Sequence, residues 1–245
     1  MYPRMSPAAN EIHLWHIDLA QPPDAVAALR SLLPPDELAR AARFHFPRHR
    51  DRFIVAHAAL RDILNSYLAA HPERLEFVSG EHGKPDLAPH SNPLGLTFNL
   101  SHSGDRALVG VGVQMQLGVD IEQIRPDFAG CEIAERFFSP REVAALRAVP
   151  AALQVEAFFE CWTRKEAFIK ACGQGLSFGL DNFDVAFGPA EAPALLRVGP
   201  DPREASRWKL YDVAPAPQGY KAALVAQGSD HLLHLREWTN PLSPA

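Results

Sequence analysis

Two carboxylates lie close together in an apolar segment, Gly118-Val119-Asp120-Ile121-Glu122. Side chains two positions apart in a β-strand point to the same face, so Asp120 and Glu122 are predicted to lie side by side. Neighbouring carboxylates repel each other unless a cation or a bound proton compensates, and oxygen ligands of this kind suit Mg²⁺. The alternative, which is favoured for an isolated pair with this spacing, is the solvent-facing edge of a strand.

A second charged pair, Glu166 and Lys170, lies in the segment CWTRKEAFIK at positions 161–170. The aromatic residues in and before this segment predict a half-buried helix, and the four-residue spacing places the pair on one face. Taken alone, such a pair is an ordinary surface interaction worth ~0.3–0.5 kcal/mol. Beside the strand carboxylates, however, Glu166 would complete a magnesium site and Lys170 would neutralise phosphate charge, as is typical of phosphoryl transfer.

Two polar turns could contact an anion or a nucleotide. The segment FNLSHSGD at 98–105 offers hydroxyls, an imidazole and amides, although Ser101 and Asp105 could equally satisfy a hairpin corner. Ser101 lacks a G-x-S-x-G context, which excludes a hydrolase nucleophile elbow. The segment EHGKP at 81–85 places Lys84 between glycine and proline, where it could border a nucleotide, but a simple turn has the same pattern.

Histidine and cysteine spacings are weaker indications of metal binding. His13 and His16, or His45 and His49, have loose metal-ligand spacings, but no third ligand is evident in the sequence, which favours surface or packing roles. The cysteines are odd in number and lack metal-ligand spacing, so reduced structural thiols are predicted. They are Cys131, Cys161 and Cys172.

The composition limits the classes of function. The 245 residues, 47% of them hydrophobic and 22% charged, suffice for one large domain or two modest ones. A net charge of −5 gives no general electrostatic reason to expect nucleic acid or an anionic membrane as partner, so any anion site must be local. No apolar run approaches the roughly 20 residues that span a bilayer, and the first residues lack a signal-peptide pattern, which predicts a soluble cytoplasmic protein.

The elements that would carry these residues follow from hydrophobic periodicity. Helical spacing is predicted for 24–44, 50–68 and 131–172. Strands are predicted at 11–19, 75–79, 96–101, 107–113, 117–121, 183–187, 208–212, 220–226 and 232–238. An order of helix followed by strands thus occurs twice, with a boundary near 113–117 that divides the chain into similar halves.

Taken together and in order, these segments resemble the motifs of the Sfp-type 4′-phosphopantetheinyl transferases, in the holo-[acyl-carrier-protein] synthase superfamily. The motifs are a G-K-P loop, an F-N-x-S-H-S-G turn, a G-x-D-x-E strand and a W-x-x-K-E-A-x-x-K helix. Further support comes from RFFSPRE at 136–142 and GQGL at 173–176, so the resemblance covers residues 36 to 187. Four motifs in order are far more specific than any one of them.

The resemblance implies an α+β fold of two pseudo-twofold-related subdomains, each an antiparallel sheet packed with helices. Residues 1–114 would form the subdomain on the nucleotide side of coenzyme A, and 115–240 the metal-binding and catalytic subdomain, followed by a flexible tail at 241–245. Coenzyme A would bind in the cleft between them, in a monomeric enzyme whose partner is an apo carrier protein of acyl, peptidyl or polyketide type. Neither nucleic acid nor membrane is expected.

The resemblance also implies roles in catalysis. Asp120, Glu122 and Glu166 would coordinate Mg²⁺, and Lys170 would contact the pyrophosphate. The carrier serine hydroxyl would attack the β-phosphorus of coenzyme A and release 3′,5′-ADP. Glu166 is the first candidate for the general base and Glu142, which matches another family carboxylate, is the second; the sequence leaves the choice open.

Further coenzyme A contacts are implied in the first half of the chain. Lys84 and Pro85 match the loop that borders the adenine, while Ser101 and His102 match residues that contact the phosphates. Arg40 falls where the family has a basic residue for the 3′-phosphate, while Glu37 occupies a neighbouring position that can also be basic in the family. The candidates for that role are Arg40, Arg48 and Arg52.

Two rival functions remain. An inactive adaptor that binds coenzyme A or a carrier would be expected to lack Glu166 or Lys170, and both are present. A magnesium-dependent phosphoesterase would use the same carboxylates with water as the nucleophile, and a requirement for the carrier protein is what distinguishes it from a transferase. Which carrier and which pathway are served stays open.

Overall fold

The structure is a computed structural model that describes residues 5–127, 130–189 and 191–242. Its α-helices are α1 (Pro23–Leu29), α2 (Pro35–Ala41), α3 (Pro47–Leu68), α4 (Cys131–Phe137), α5 (Pro140–Ala148) and α6 (Gln154–Cys172). The strands are β1 (Glu11–Asp18), β2 (Phe77–Ser79), β3 (Pro85–Leu87), β4 (Leu96–Ser103), β5 (Arg106–Val113), β6 (Leu117–Gln123), β7 (Phe183–Val185), β8 (Leu195–Val198), β9 (Trp208–Asp212), β10 (Tyr220–Gln227) and β11 (Leu232–Glu237). These elements confirm the mixed α+β class.

The chain forms two compact units. The first contains Met1–Val78, Pro85–Gln114 and Leu232–Ala245, and the second contains Ser79–Lys84 and Met115–His231. Compared with the sequence-based ranges 1–114 and 115–240, the loop that ends at Lys84 is grouped with the second unit and the last strand with the first. Residues 243–245 of the predicted tail lie outside the described residues.

The first unit packs α3 on a four-stranded sheet in the order β11-β1-β5-β4. Helix α3 begins with Pro47 in its first turn, where the missing N–H costs nothing, and ends at Ala69 in the left-handed conformation. Its apolar face, at Ile54, Leu64 and neighbouring positions, is buried against strand residues that include Trp15. This face accounts for the helical periodicity of the sequence.

One pair of strands in this sheet departs from the antiparallel prediction. Strands β1 and β11 are parallel, with Glu11 opposite Leu232 and His13 opposite His234. Parallel neighbours need a long crossover connection, and the entire second unit lies between these two strands in the chain. The other pairs in the sheet, β1 with β5 and β5 with β4, are antiparallel.

The second unit packs α6 on an antiparallel sheet in the order β6-β10-β9. Its core is aromatic, with Phe158, Phe159 and Phe168 of α6 packed among the strands. Helix α6 ends at Gly173, whose φ of 69° is a conformation that glycine adopts readily. The predicted helical stretch 131–172 is thus three separate helices. None of the helices in the described ranges is long and apolar enough to cross a membrane.

Candidate active site on strand β6 and helix α6

Strand β6 lies in unusually close contact with helix α6. A Cβ atom placed on Gly118 would lie 2.3 Å from the Ala167 carbonyl oxygen and 2.3 Å from the Ala171 nitrogen. Distances under about 3 Å are repulsive, so only glycine permits this approach. Because Asp120 and Glu122 share the Gly118 face of the strand, both carboxylates are directed toward α6.

Asp120 and Lys170 join the strand to the helix. The Lys170 Nζ donates to Asp120 Oδ1 at 2.6 Å, and the Asp120 side chain is only 3% exposed while that of Lys170 is 28% exposed. A buried carboxylate is stable when it is paired with such a charged donor. The ammonium group therefore belongs to the site and also keeps one side open to solvent.

Glu166 lies one turn before Lys170 on α6 and is partly buried. Burial raises its pKa, and the charges of Asp120 and Glu122 raise it further against the opposing effect of Lys170, to about 6. The two strand carboxylates thus act on the charge of Glu166, as neighbours would. Three carboxylates with one ammonium leave net negative charge and oxygen donors, which fits a divalent cation such as Mg²⁺.

Glu142 has a different environment. It is 1% exposed, forms a capping box with Ser139 at the start of α5, and accepts two hydrogen bonds from Lys165 Nζ, both at 2.6 Å. The same carboxylate accepts from the Val185 N–H at 2.9 Å, and Lys165 also donates to the Phe183 carbonyl at 2.7 Å. These bonds fasten α6 to α5 and β7 through a fully buried ion pair.

No structural role was predicted from the sequence for Lys165 or its neighbour Arg164, yet both form buried ion pairs close to Glu166. Arg164 is 1% exposed and bonds Asp212 of β9 with two nitrogens, at distances between 2.7 and 3.0 Å. It also bonds Glu160 at 2.7 Å. The signal in the sequence was the position of Lys165 seven residues after Phe158, on the apolar stripe of the helix. Both cations hold the turn of α6 that presents Glu166.

Lys84 is attached to the same strand and helix. Its Nζ donates to the carbonyl oxygen of Leu117, the first residue of β6, at 2.8 Å. A Cβ atom on Gly173 would lie 3.9 Å from the Lys84 side chain, so this side chain also runs past the end of α6. The second unit therefore contains Lys84 together with the two strand carboxylates, Glu166 and Lys170.

The other predicted contacts of coenzyme A lie in the first unit. Arg40 lines a pocket of about 300 Å³ with Arg43, Phe44 and Phe53, and its guanidinium lies 5.4 Å from the centre of the Phe53 ring. Arg48 is exposed in the first turn of α3. The pocket combines positive charge with aromatic surface, which suits a phosphorylated nucleotide.

Two further charged residues of this unit are held by ion pairs. Arg52 donates to Asp105 from Nε at 2.8 Å and from Nη2 at 2.5 Å. Glu37 is buried, and burial would raise its pKa, but hydrogen bonds and charges from His57 and Arg61 outweigh this effect and lower it to about 2. Glu37 is thus an ionised structural partner in the fold.

The turn residues lie at the end of one hairpin. Ser101 and His102 are on β4 opposite Leu108 and Ala107 of β5, with Ser101 buried and His102 exposed. Gly104, at a φ of 55°, makes the turn between the strands. Pro85 is exposed at the start of β3.

Comparisons with known proteins agree with the motifs. Residues 116–225 match the model of the 4′-phosphopantetheinyl transferase superfamily, and residues 21–112 match that of the 4′-phosphopantetheinyl transferase N-terminal region. The 4′-phosphopantetheinyl transferase HetI of Nostoc sp. is 40% identical over 224 residues, which cover 91% of this chain and 91% of HetI. Sfp of Bacillus subtilis is 31% identical over 200 residues, 82% of this chain and 84% of Sfp.

Among solved structures, the holo-[acyl-carrier-protein] synthase of Thermotoga maritima has a TM-score of 0.37 and 19% identity, over 48% of this chain and 66% of that chain. The family models and the relatives confirm the family and the activity that the ordered motifs predict. The chain belongs to the 4′-phosphopantetheinyl transferases and is of the Sfp type.

Proposed function

We propose that this transferase takes its phosphopantetheine arm from coenzyme A, in a magnesium-dependent reaction, and attaches it to a serine of an apo carrier protein. Asp120, Glu122 and Glu166 would hold the ion. The observation that carries the proposal is the approach of β6 to α6 at Gly118, with Lys170 bonded to Asp120. Oxygen donors from two elements and an adjacent ammonium suit a pyrophosphate substrate.

Lys170 would stabilise charge on the phosphates. Its ammonium donates to Asp120, and its side chain is 28% exposed. Bound Mg²⁺ would supply further neutralisation of the pyrophosphate oxygens. In the transfer, the serine oxygen forms a bond to the β-phosphorus as the bond from that phosphorus to the bridging oxygen of 3′,5′-ADP breaks. Lys170 would offset the charge that develops on this leaving oxygen.

Glu166 is our choice for the base that accepts the serine proton. It is partly exposed, and its pKa, about 6 without a cation, would fall when Mg²⁺ binds, which favours the ionised form that accepts a proton. Glu142, the second candidate, is 1% exposed and accepts bonds from Lys165, Ser139 and Val185, which leaves little access for a substrate hydroxyl. A role for Glu142 in positioning α6 accounts better for these contacts.

For the 3′-phosphate of coenzyme A we favour Arg40. It lines the pocket that also contains Arg43 and two phenylalanines, whereas Arg52 is engaged by Asp105 and Arg48 lies outside the lining. The remaining contacts are proposed from the family motifs alone. They are Lys84 and Pro85 beside the adenine, and Ser101 and His102 on the phosphates.

The decisive experiment is transfer to a purified apo carrier. The protein is incubated with coenzyme A, Mg²⁺ and the carrier, and the carrier is then weighed by mass spectrometry. We expect a gain of about 340 Da, the phosphopantetheine increment, which disappears when EDTA is added or when the carrier serine is replaced by alanine. Transfer that persists without any divalent metal would refute the magnesium proposal.

A parallel reaction tests the phosphoesterase alternative. Coenzyme A and Mg²⁺ are incubated with the protein in the absence of carrier, and 3′,5′-ADP is measured by chromatography. We expect release to depend on added carrier in proportion to the mass gain. Release of 3′,5′-ADP at the same rate without carrier would identify water as the acceptor and contradict the transferase mechanism.

A further inference from the structure

A second group of metal-binding side chains lies in the first unit, on the sheet formed by β1 and β11. Glu11, His13 and His234 each present one ligand atom, and these atoms all lie within 4.8 Å of one another. Glu11 and His13 are two positions apart on β1 and share a face, while His234 is directly opposite His13 on β11. The cluster contains none of the residues proposed for transfer.

The distances in the cluster are close to those that a bound ion requires. The His234 Nε2 lies 3.5 Å from Glu11 Oε1, and the His13 Nε2 lies 3.9 Å from Glu11 Oε2. Ligands at about 2.0–2.1 Å from a tetrahedral zinc ion are about 3.3 Å apart. Coordination would therefore require the His13 nitrogen to move about 0.6 Å closer to Glu11, and the most distant pair of ligand atoms to approach by up to about 1.5 Å.

His13 is held in the orientation that metal binding needs. Its Nδ1 is 2.8 Å from the Tyr67 hydroxyl, which also accepts a hydrogen bond from Trp15 Nε1 at 2.9 Å. In the tautomer that donates from Nδ1 to the tyrosine oxygen, the lone pair of His13 is on Nε2, facing Glu11. Metal-ligating histidines commonly donate their other nitrogen to such a partner.

His234 adds an independent observation. Its side chain is 43% exposed, yet its Nε2 atom is buried and lies 3.5 Å from Glu11 Oε1, an ion-pair distance without good hydrogen-bond geometry. The exposed part of the ring could be solvated, but this nitrogen is directed inward, toward the Glu11 carboxylate. Glu11 is fixed in turn, because its Oε2 accepts from the Ala8 N–H at 2.9 Å. A ring nitrogen that faces the Glu11 carboxylate can pair with it when the imidazole is protonated, or bind a cation that the three groups share when it is neutral.

We propose that Glu11, His13 and His234 bind a zinc ion that joins strand β11 to strand β1. Two imidazole nitrogens and one carboxylate are a typical zinc ligand set, with a fourth position for water, whereas Mg²⁺ prefers oxygen ligands. The sequence alone indicated no third ligand for His13 and His16, because His234 is more than 200 positions away. His16 cannot take part, since three positions along a strand place it on the opposite face.

We expect the zinc ion to have a structural role, because it would join two strands that are far apart in the chain. Strand β11 belongs to the first unit but comes after the whole second unit in the chain, so its pairing closes a very long loop. An ion bound to both strands would hold this pairing. Arg236 lies two positions beyond His234, with its guanidinium 5.6 Å from the centre of the Trp15 ring, and its charge opposes a cation. We therefore expect micromolar rather than nanomolar affinity for zinc.

The test uses the full-length protein, freed of metal with EDTA and then dialysed into excess Mg²⁺ to saturate sites with oxygen ligands. Zn²⁺ is added by equilibrium dialysis, and the zinc on the two sides of the membrane is measured by mass spectrometry of the elements. We expect one zinc more per wild-type chain than per His234→Ala chain, and an affinity at least tenfold weaker in Glu11→Gln. With Zn²⁺ at about a hundred times its dissociation constant, the wild-type melting temperature should rise by about 5 °C, and that of His234→Ala should not.

A matched control is His90→Ala, which removes an exposed histidine that is paired with Glu76 at 3.3 Å in the same unit. We expect it to bind zinc like the wild type. Cobalt(II) provides a signature of geometry, because four-coordinate sites with nitrogen ligands absorb strongly in visible light and six-coordinate oxygen sites do not. Equal zinc content in wild type and His234→Ala, or weak octahedral cobalt spectra in both, would overturn the proposal. In Mg²⁺, His234→Ala should modify the carrier at a rate within twofold of wild type. The outcome of the zinc test is therefore independent of whether the proposed transfer mechanism is right.

Discussion

In each unit the long helix carries a buried cation whose carboxylate partner lies on the preceding helix. In the first unit, Arg61 of α3 bonds Glu37 of α2 at 2.9 and 3.0 Å. In the second, Lys165 of α6 bonds Glu142 of α5 at 2.6 Å. A carboxylate follows each cation directly in sequence. The two helices are therefore fastened in the same way, although their sequences show no repeat.

The residues after these cations differ in what they face. Asp62 follows Arg61 and accepts a hydrogen bond from Trp238 Nε1 at 2.9 Å, a contact within the fold of the first unit. Glu166 follows Lys165 and lies beside the carboxylates of β6, with Lys170 one turn later. The two helices are thus anchored in a similar way. The residue after the cation makes a structural hydrogen bond in the first unit and belongs to a charged site in the second. The difference arises from the strand, because β6 brings acidic side chains to its helix.

Glu166→Gln should produce the largest loss of activity, and it tests directly whether Glu166 and Asp62, which follow the two buried cations, have different roles. The change keeps the shape of the side chain but removes its charge and its ability to accept a proton. We expect carrier modification to fall at least about a thousandfold in kcat/KM, with an unchanged melting temperature. The matched variant is Asp62→Asn at the corresponding position of α3, which should retain activity within twofold. Comparable losses in both variants would mean that the charge of Glu166 has no special role.

Lys165→Met tests whether the buried anchors are equivalent. Removing the ammonium group leaves Glu142 buried without its cation, which should lower the free energy of unfolding by about 3–5 kcal/mol. Arg61→Met should cost a similar amount through Glu37. Denaturant unfolding measures both. If Lys165→Met abolished transfer while leaving stability intact, Lys165 would have a direct part in the chemistry instead of a positioning role.

Gly118→Ala tests the close approach of β6 and α6. The added methyl group would meet helix backbone at 2.3 Å, which cannot be relieved by rotating a side chain. We expect a loss of about 3 kcal/mol in the free energy of unfolding, together with at least tenfold weaker transfer as the strand moves from the helix. Gly130→Ala is the control, since its Cβ would lie 3.7 Å from the nearest atom. Full activity in Gly118→Ala would show that the site tolerates a wider separation.

The anchor of the first unit should be sensitive to acid. The pKa of Glu37 is lowered from 4.5 to about 2, so its ionised form stabilises the folded state. This stabilisation is complete above pH 4.5 and is lost as the pH falls toward 2, which amounts to about 3 kcal/mol. The stability difference between wild type and Glu37→Gln should shrink over this interval. A difference that stays constant from pH 6 to pH 3 would contradict the lowered pKa.

Local pattern was sufficient to predict the elements of the candidate site and most of the fold class. Alternation predicted that Asp120 and Glu122 share a face, and helical spacing predicted the same for Glu166 and Lys170. Strand β6 and helix α6 do run through these segments. Periodicity predicted a helical region over 131–172 but not its division into three helices, which begin at Cys131, Pro140 and Gln154. It also did not indicate that β11 pairs in parallel with β1.

The ordered motifs were sufficient to assign the family and the activity, because motif order is read along the chain and needs no information on distant contacts. Other features depend on contacts between residues that are far apart in the chain, and these became visible in the folded protein. Among them are the burial of Lys165 against Glu142, the attachment of Lys84 to Leu117, and the approach of His234 to His13. A sequence pattern records which side chains share a face of one element. Which element covers that face depends on packing and chain topology, and those are properties of the whole fold.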